Sequence, residues 1–60
     1  MKPKEMLKIL NKDGWKTKHQ VGSHIQLVHK DKPGKVTLPL HNKDLSPGTL
    51  NSILKQAGLK

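Results

Sequence analysis

Sixty residues with twelve Lys, no Arg, four acidic side chains and no Cys give a formal charge of +8, a strongly basic balance for one domain spanning residues 1–60. A chain this short buries only about 60% of the surface it exposes when unfolded, which allows one shallow core and excludes a second domain. The lack of Cys excludes disulfide staples and thiolate zinc sites. No apolar run approaches the roughly 18 residues of a membrane span, and Met1-Lys2-Pro3-Lys4 leads into no signal-peptide stretch.

We therefore read the chain as cytoplasmic, with no membrane partner. Its surplus of positive charge points to a polyanion, with nucleic acid ahead of an acidic protein and an anionic lipid.

From Lys4 to Lys12, Met6, Leu7, Ile9 and Leu10 recur at three- and four-residue spacing. They predict an amphipathic helix with Lys4, Lys8, Asn11 and Lys12 outward. Pro3 suits its first turn. Gly14 can take the left-handed conformation that ends it at about Asp13, and Trp15 then folds back on Leu10.

The period next changes to two. Trp15–Gln20, the alternation of Ile25 and Leu27 about Gln26, and that of Val36 and Leu38 about Thr37 predict three short strands. Gly22-Ser23 reads as a tight connection between the first two, and Lys32-Pro33-Gly34-Lys35 as a type II turn between the second and third. The sheet is then antiparallel. A strictly two-residue loop at Gly22-Ser23 puts Trp15 on the face of His24 rather than with Ile25 and Leu27, a conflict that a bulge or a longer loop would remove.

At the end, Ser46 is a good N-cap, Pro47 a good first helical residue, and Leu50, Ile53, Leu54 and Ala57 form one stripe. Gly58 followed by Leu59 repeats the stop signal of the first helix, with Leu59 folding back on Leu54. The order αβββα predicts an α+β sandwich, with a three-stranded antiparallel sheet and two helices side by side on one face.

Four His, at positions 19, 24, 29 and 41, raise the question of a metal. His24 and His29 are five apart and point to opposite faces of one strand, and few carboxylates and no Cys complete a shell, so we expect no metal site and no cofactor. His19 and His29 read as exposed or partly packed polar residues. His24 differs by its position. It follows Gly22-Ser23, where backbone can approach a ligand closely, and the inward Ile25 and Leu27 force it outward. An imidazole there can take and return a proton near neutral pH. In RNA the 2′-hydroxyl supplies the nucleophile, so a base and cations around the phosphoryl oxygens suffice for scission.

The lysines extend this reading. Lys16 and Lys18, two apart on the first strand, are expected to share a face and contact phosphate, beside Gly22 and Ser23, while Lys30, Lys32 and Lys35 crowd the second turn. A lysine surface kept only for solubility is the alternative, but it does not account for twelve Lys against four acids. With no Arg fork and Trp15 the only aromatic, strong base-specific reading is not expected.

Asp13-Gly14-Trp15, Val21-Gly22-Ser23-His24, Val36-Thr37-Leu38-Pro39-Leu40-His41, Ser46-Pro47-Gly48-Thr49-Leu50 and Ile53-Leu54-Lys55-Gln56-Ala57-Gly58-Leu59 follow one another in an order and spacing that resembles the HicA toxins of bacterial toxin–antitoxin systems, over nearly the whole chain. The resemblance implies a double-stranded-RNA-binding-domain-like fold. It also implies a ribosome-independent mRNA endoribonuclease whose catalytic residue is the His of Gly-Ser-His, here His24; since the residues offer no metal site, we expect it to be metal-independent. His41 carries over only as a structural or substrate-side residue. Trp15 stands where the family more often has Phe or a similar residue, and Lys where relatives often use Arg; neither departure touches Gly-Ser-His.

The resemblance further implies a HicB-type antitoxin that covers the active face, with DNA engaged only indirectly through that antitoxin. A surface basic enough to hold mRNA also holds an acidic inhibitor. Two other functions fit the same charge: a non-catalytic module for structured RNA, and a small basic protein that acts only inside an acidic partner's complex.

Overall fold

The computed structural model describes residues 1–40 and 43–60. The chain runs α1 (Pro3–Asp13), β1 (Lys16–Val21), β2 (His24–Val28), β3 (Val36–Pro39) and α2 (Pro47–Gln56), the predicted αβββα order. The strands form one antiparallel sheet in sequence order, with β2 central.

Period-two alternation sorts β2 and β3 into two faces. Ile25, Leu27, Val36 and Leu38 point inward and are buried, in a core completed by Met6 and Leu10 of α1, Ile53 of α2, and Ala57 and Trp15 at the helix ends. Both helices therefore cover the same face. Ile9, expected on the apolar side of α1, is 37% exposed instead, because the stripe narrows to Met6 and Leu10 with Leu7 at its edge.

The helix ends are made as their sequences suggest. Pro3 opens α1, and Gly14 closes it at φ 106°. Its N–H donates to the Asn11 carbonyl and the Trp15 N–H to the Leu10 carbonyl at 2.9 Å, the paired bonds that stop a helix at a left-handed residue. A Cβ on Gly14 would lie 2.6 Å from His29 Nε2, so the position requires glycine twice over. At the other end, the Ser46 side chain accepts the Thr49 N–H as N-cap of α2, and the Leu59 N–H returns to the Leu54 carbonyl. The Leu45 N–H donates to the Met1 carbonyl, which sets the two helix starts side by side.

The segment between β2 and β3, residues 29–35, is longer than the predicted four-residue turn. Gly34 keeps the expected positive φ of 84°, but His29 and Lys32 organise the rest. The His29 Nδ1 accepts the backbone N–H groups of Asp31 and Lys32. That places the proton on Nε2, which donates to the Asp13 carbonyl at 2.7 Å. The ring also meets Trp15 edge-on, centroids 5.3 Å apart. His29 is thus a staple between the end of α1 and this loop, more than the partly packed polar residue read from sequence.

Lys32, one of the lysines that crowd the second turn, has a structural role. Its Nζ donates to Asp13 Oδ2 at 2.6 Å and to the Ala57 carbonyl at 3.0 Å. One ammonium thus ties the C-terminal ends of both helices, where the helix dipoles favour a cation. With their starts adjacent as well, the two helices run in the same direction.

The Lys32 hydrogen bond holds the Asp13 carboxyl below the ordinary aspartate range, against a partial desolvation that pushes it up; the Lys32 charge, His29 and Trp15 add lesser pulls. The Trp15 indole N–H is buried and meets no acceptor at full hydrogen-bond geometry, so its pull is the weakest. Because the folded-state value is depressed, the stabilisation is present above the unfolded value of about 3.9 and is lost as pH falls through the folded one. Asp13→Asn should therefore lower stability at pH 7 and flatten its decline below about pH 4, as read by urea titrations at several pH values. An unchanged acid slope would show that the pair contributes nothing.

Candidate active site

The face of the sheet turned away from the helices is open, and the Gly22-Ser23 turn stands at one end of it. Val21 pairs with His24 across this turn, so it is a two-residue hairpin. Gly22 has φ 59° and Ser23 does not share the positive φ, the pattern of a type II′ turn with Gly first. Two bonds fix it: Gln20 Nε2 donates to the Gly22 carbonyl at 3.0 Å, and the Leu40 N–H donates to the Ser23 carbonyl at 2.6 Å. A Cβ on Gly22 would meet nothing within 4 Å. The demand for glycine here comes from the backbone angle, and the space above the turn is clear for a ligand.

His24 opens β2 directly after this turn and is exposed. Its neighbour Ile25 is buried, so alternation turns the imidazole to the open face, as expected. The same face carries Gln26 and Val28 of β2, and Thr37 and Pro39 of β3, which lie opposite Gln26 and His24.

Strand β1 joins that face through an irregularity. Thr17 pairs with Leu27 and the next registered pair is His19 with Gln26, which leaves Lys18 as an extra residue. This bulge settles the conflict between a two-residue hairpin and the side taken by Trp15. On the turn side of the bulge, Val21 and His19 share the face of His24; on the far side, Trp15 comes into step with Ile25 and Leu27 and is fully buried.

The bulge corrects the expectation that Lys16 and Lys18 share a face by simple alternation. Lys16 lies opposite Val28 and so belongs to the open face, whereas Lys18 stands out of register between the two halves of the strand. Both are exposed. His19, read as an unremarkable polar residue, is brought onto the face of His24. Only the bulge reveals this, and its one sequence signal was the misfit between the short hairpin and an inward Trp15.

His41 lies outside the described residues. Among the described residues, no three His, Cys, Asp or Glu side chains gather to hold a metal ion, and no helix is long and apolar enough to cross a membrane. A cavity of about 230 Å3 is lined by Pro3, Pro39, Lys43, Asp44, Leu45, Ser46 and Thr49. It shares Pro39 with the strand pair that carries His24 but holds none of the predicted site residues.

Residues 3–59 match the family model described as the HicA toxin of bacterial toxin–antitoxin systems. The chain belongs to the HicA toxin family. Its role is that of the toxin in such a pair, and the family membership gives it an antitoxin as partner. No curated protein matches the chain at a significant level. The match takes in the Gly22-Ser23-His24 turn, the bulged β1 and all five secondary-structure elements.

The bulge yields a prediction independent of activity. Deleting Lys18 restores plain alternation, so Trp15 and the residues beside the hairpin can no longer keep their present faces together. Exposing a core Trp forfeits much of the roughly 3–5 kcal/mol typical of losing one. The deletion should red-shift the Trp15 fluorescence and lower the denaturation midpoint strongly, whereas Lys18→Ala should leave both near their starting values. Equal behaviour of the two variants would show that the bulge does not set the register.

Proposed function

We propose that this HicA toxin is a metal-independent endoribonuclease that cleaves mRNA without the ribosome, with His24 in acid–base catalysis. The observation that carries the reading is the position of His24: exposed on the open sheet face, first residue after a bonded turn whose Gly22 leaves free space above it. In the proposed step, one imidazole moves a proton at the ribose-phosphate while the neighbouring 2′-hydroxyl attacks phosphorus, so the protein need supply no nucleophile. Lys16 on the same face, Lys18 at the bulge and the backbone of Gly22 and Ser23 contact the phosphates. Their charge stabilises what builds on the phosphoryl oxygens.

The antitoxin partner is read as HicB-type, an acidic protein seated on this face. RNA and inhibitor then compete for one surface, on which Val21, 62% exposed and directly across from His24, offers an apolar contact. DNA is reached only through the antitoxin.

His24→Ala should abolish cleavage of a labelled single-stranded RNA and relieve growth inhibition while the variant stays folded with an unfolding free energy within about 1 kcal/mol of the parent, since the side chain is exposed and outside the core. Full cleavage by the folded variant would refute the reading, and RNA binding without any scission by the parent would make the chain a binding module instead. EDTA should leave the rate unchanged. Added salt should weaken RNA binding along a log–log slope of about −0.7 per phosphate neutralised.

A further inference from the structure

Cleavage by the 2′-hydroxyl needs two proton movements, and His24 is one group. The proton of the attacking hydroxyl must be taken, and the 5′ oxygen that leaves must receive one. The two oxygens lie on opposite sides of the phosphorus, so the two proton-transfer groups must flank one phosphate. The register of β1 and β2 supplies a second imidazole in that relation. His24 lies opposite Val21 and His19 opposite Gln26, so His19 is the diagonal neighbour of His24 on the open face. Backbone positions so related are roughly 7–8 Å apart. With hydrogen-bond reach of about 2.6–3.2 Å from each ring, a phosphate fits between them. Both residues are exposed.

We propose that His19 is the second proton-transfer residue of the cleavage reaction, in the protonation state opposite to that of His24. The proposal rests on the reading of His24 given above. In the step, the neutral imidazole removes the 2′-hydroxyl proton as the 2′ oxygen bonds to phosphorus. The bond from phosphorus to the 5′ oxygen breaks, and the imidazolium gives its proton to that oxygen. The products are a 2′,3′-cyclic phosphate and a free 5′-hydroxyl, with the two histidines left in exchanged protonation states. No co-reactant is needed. Among the described residues of the three strands the alternatives on this face are few: Lys16 is the other titratable group, Lys18 stands at the bulge, and β3 presents Thr37 and Pro39. The helices lie on the other side of the sheet.

The test measures kcat and KM against pH for the full chain on a fluorescently labelled single-stranded RNA oligonucleotide of mixed sequence. The parent should give a bell-shaped profile. His19→Ala and His19→Gln should each lower kcat by about 100-fold or more, change KM little, and lose one limb of the bell. Imidazole in the buffer should restore part of the His19→Ala rate. If both variants keep the bell and a rate within a few-fold of the parent while His24→Ala is inactive, the assignment of His19 falls and that of His24 stands. If His24→Ala cleaves normally, both fall. A slower His19→Ala with both limbs intact and no response to imidazole would make His19 a charge or a positioning group and overturn the proposal.

Discussion

The extra residue at Lys18 is the constraint on which the arrangement depends. Trp15 must lie inside, because it fills the space between the end of α1 and the sheet and no other aromatic is available. The Gly22-Ser23 hairpin independently fixes which residues of β1 lie opposite β2. With strict alternation the two demands conflict: an inward Trp15 carries His19, Val21 and, across the hairpin, His24 to the buried face. One unpaired residue satisfies both. The core aromatic and the outward imidazoles are consequences of the same local defect in the ladder.

That division extends through the molecule. The helix-covered face and the helix ends hold the whole apolar core, and the ties that brace them are on that side as well: the His29 bonds to the α1 end and the Lys32 ammonium between Asp13 and Ala57. None of these groups reaches the open face. The basic surplus therefore has two uses. Lys32 closes the two helix dipoles, while Lys16, at the end of β1 far from the turn, and Lys18, at the bulge, stay exposed.

Much of this was legible from the order of residues. The helix stops at Gly14 and Gly58, the Ser46 cap and the inward alternation of Ile25, Leu27, Val36 and Leu38 are local or short-period signals, and the structure repeats them. The outward turn of His24 followed from the same alternation. The parts that were not legible depend on contacts between distant segments. Ile9 scores as apolar at helical spacing, yet the narrow stripe of α1 leaves it at the surface. His29 and Lys32 look like polar loop residues until Asp13, sixteen and nineteen positions back, is placed beside them. The pairing of Lys16 with Lys18 failed because alternation is broken between them, and His19 was missed for the same reason.

A chain this small cannot enclose a site within its core, so its chemistry must sit on a surface that packing does not need. The consequence is an unusual separation: side chains on the open face can change without opening a cavity, and core side chains can change without touching the imidazoles. β1 is the exception, since every one of its residues is exposed and yet its register decides both sides at once. A substitution in β1 is cheap, because no side chain there is buried. An insertion or deletion is not, because it shifts Trp15 against His24. For stability the strand is thus free in composition and fixed in length, and the surface that RNA and antitoxin are proposed to share needs the right residue count in β1 before His19, Lys16 or Lys18 can serve it.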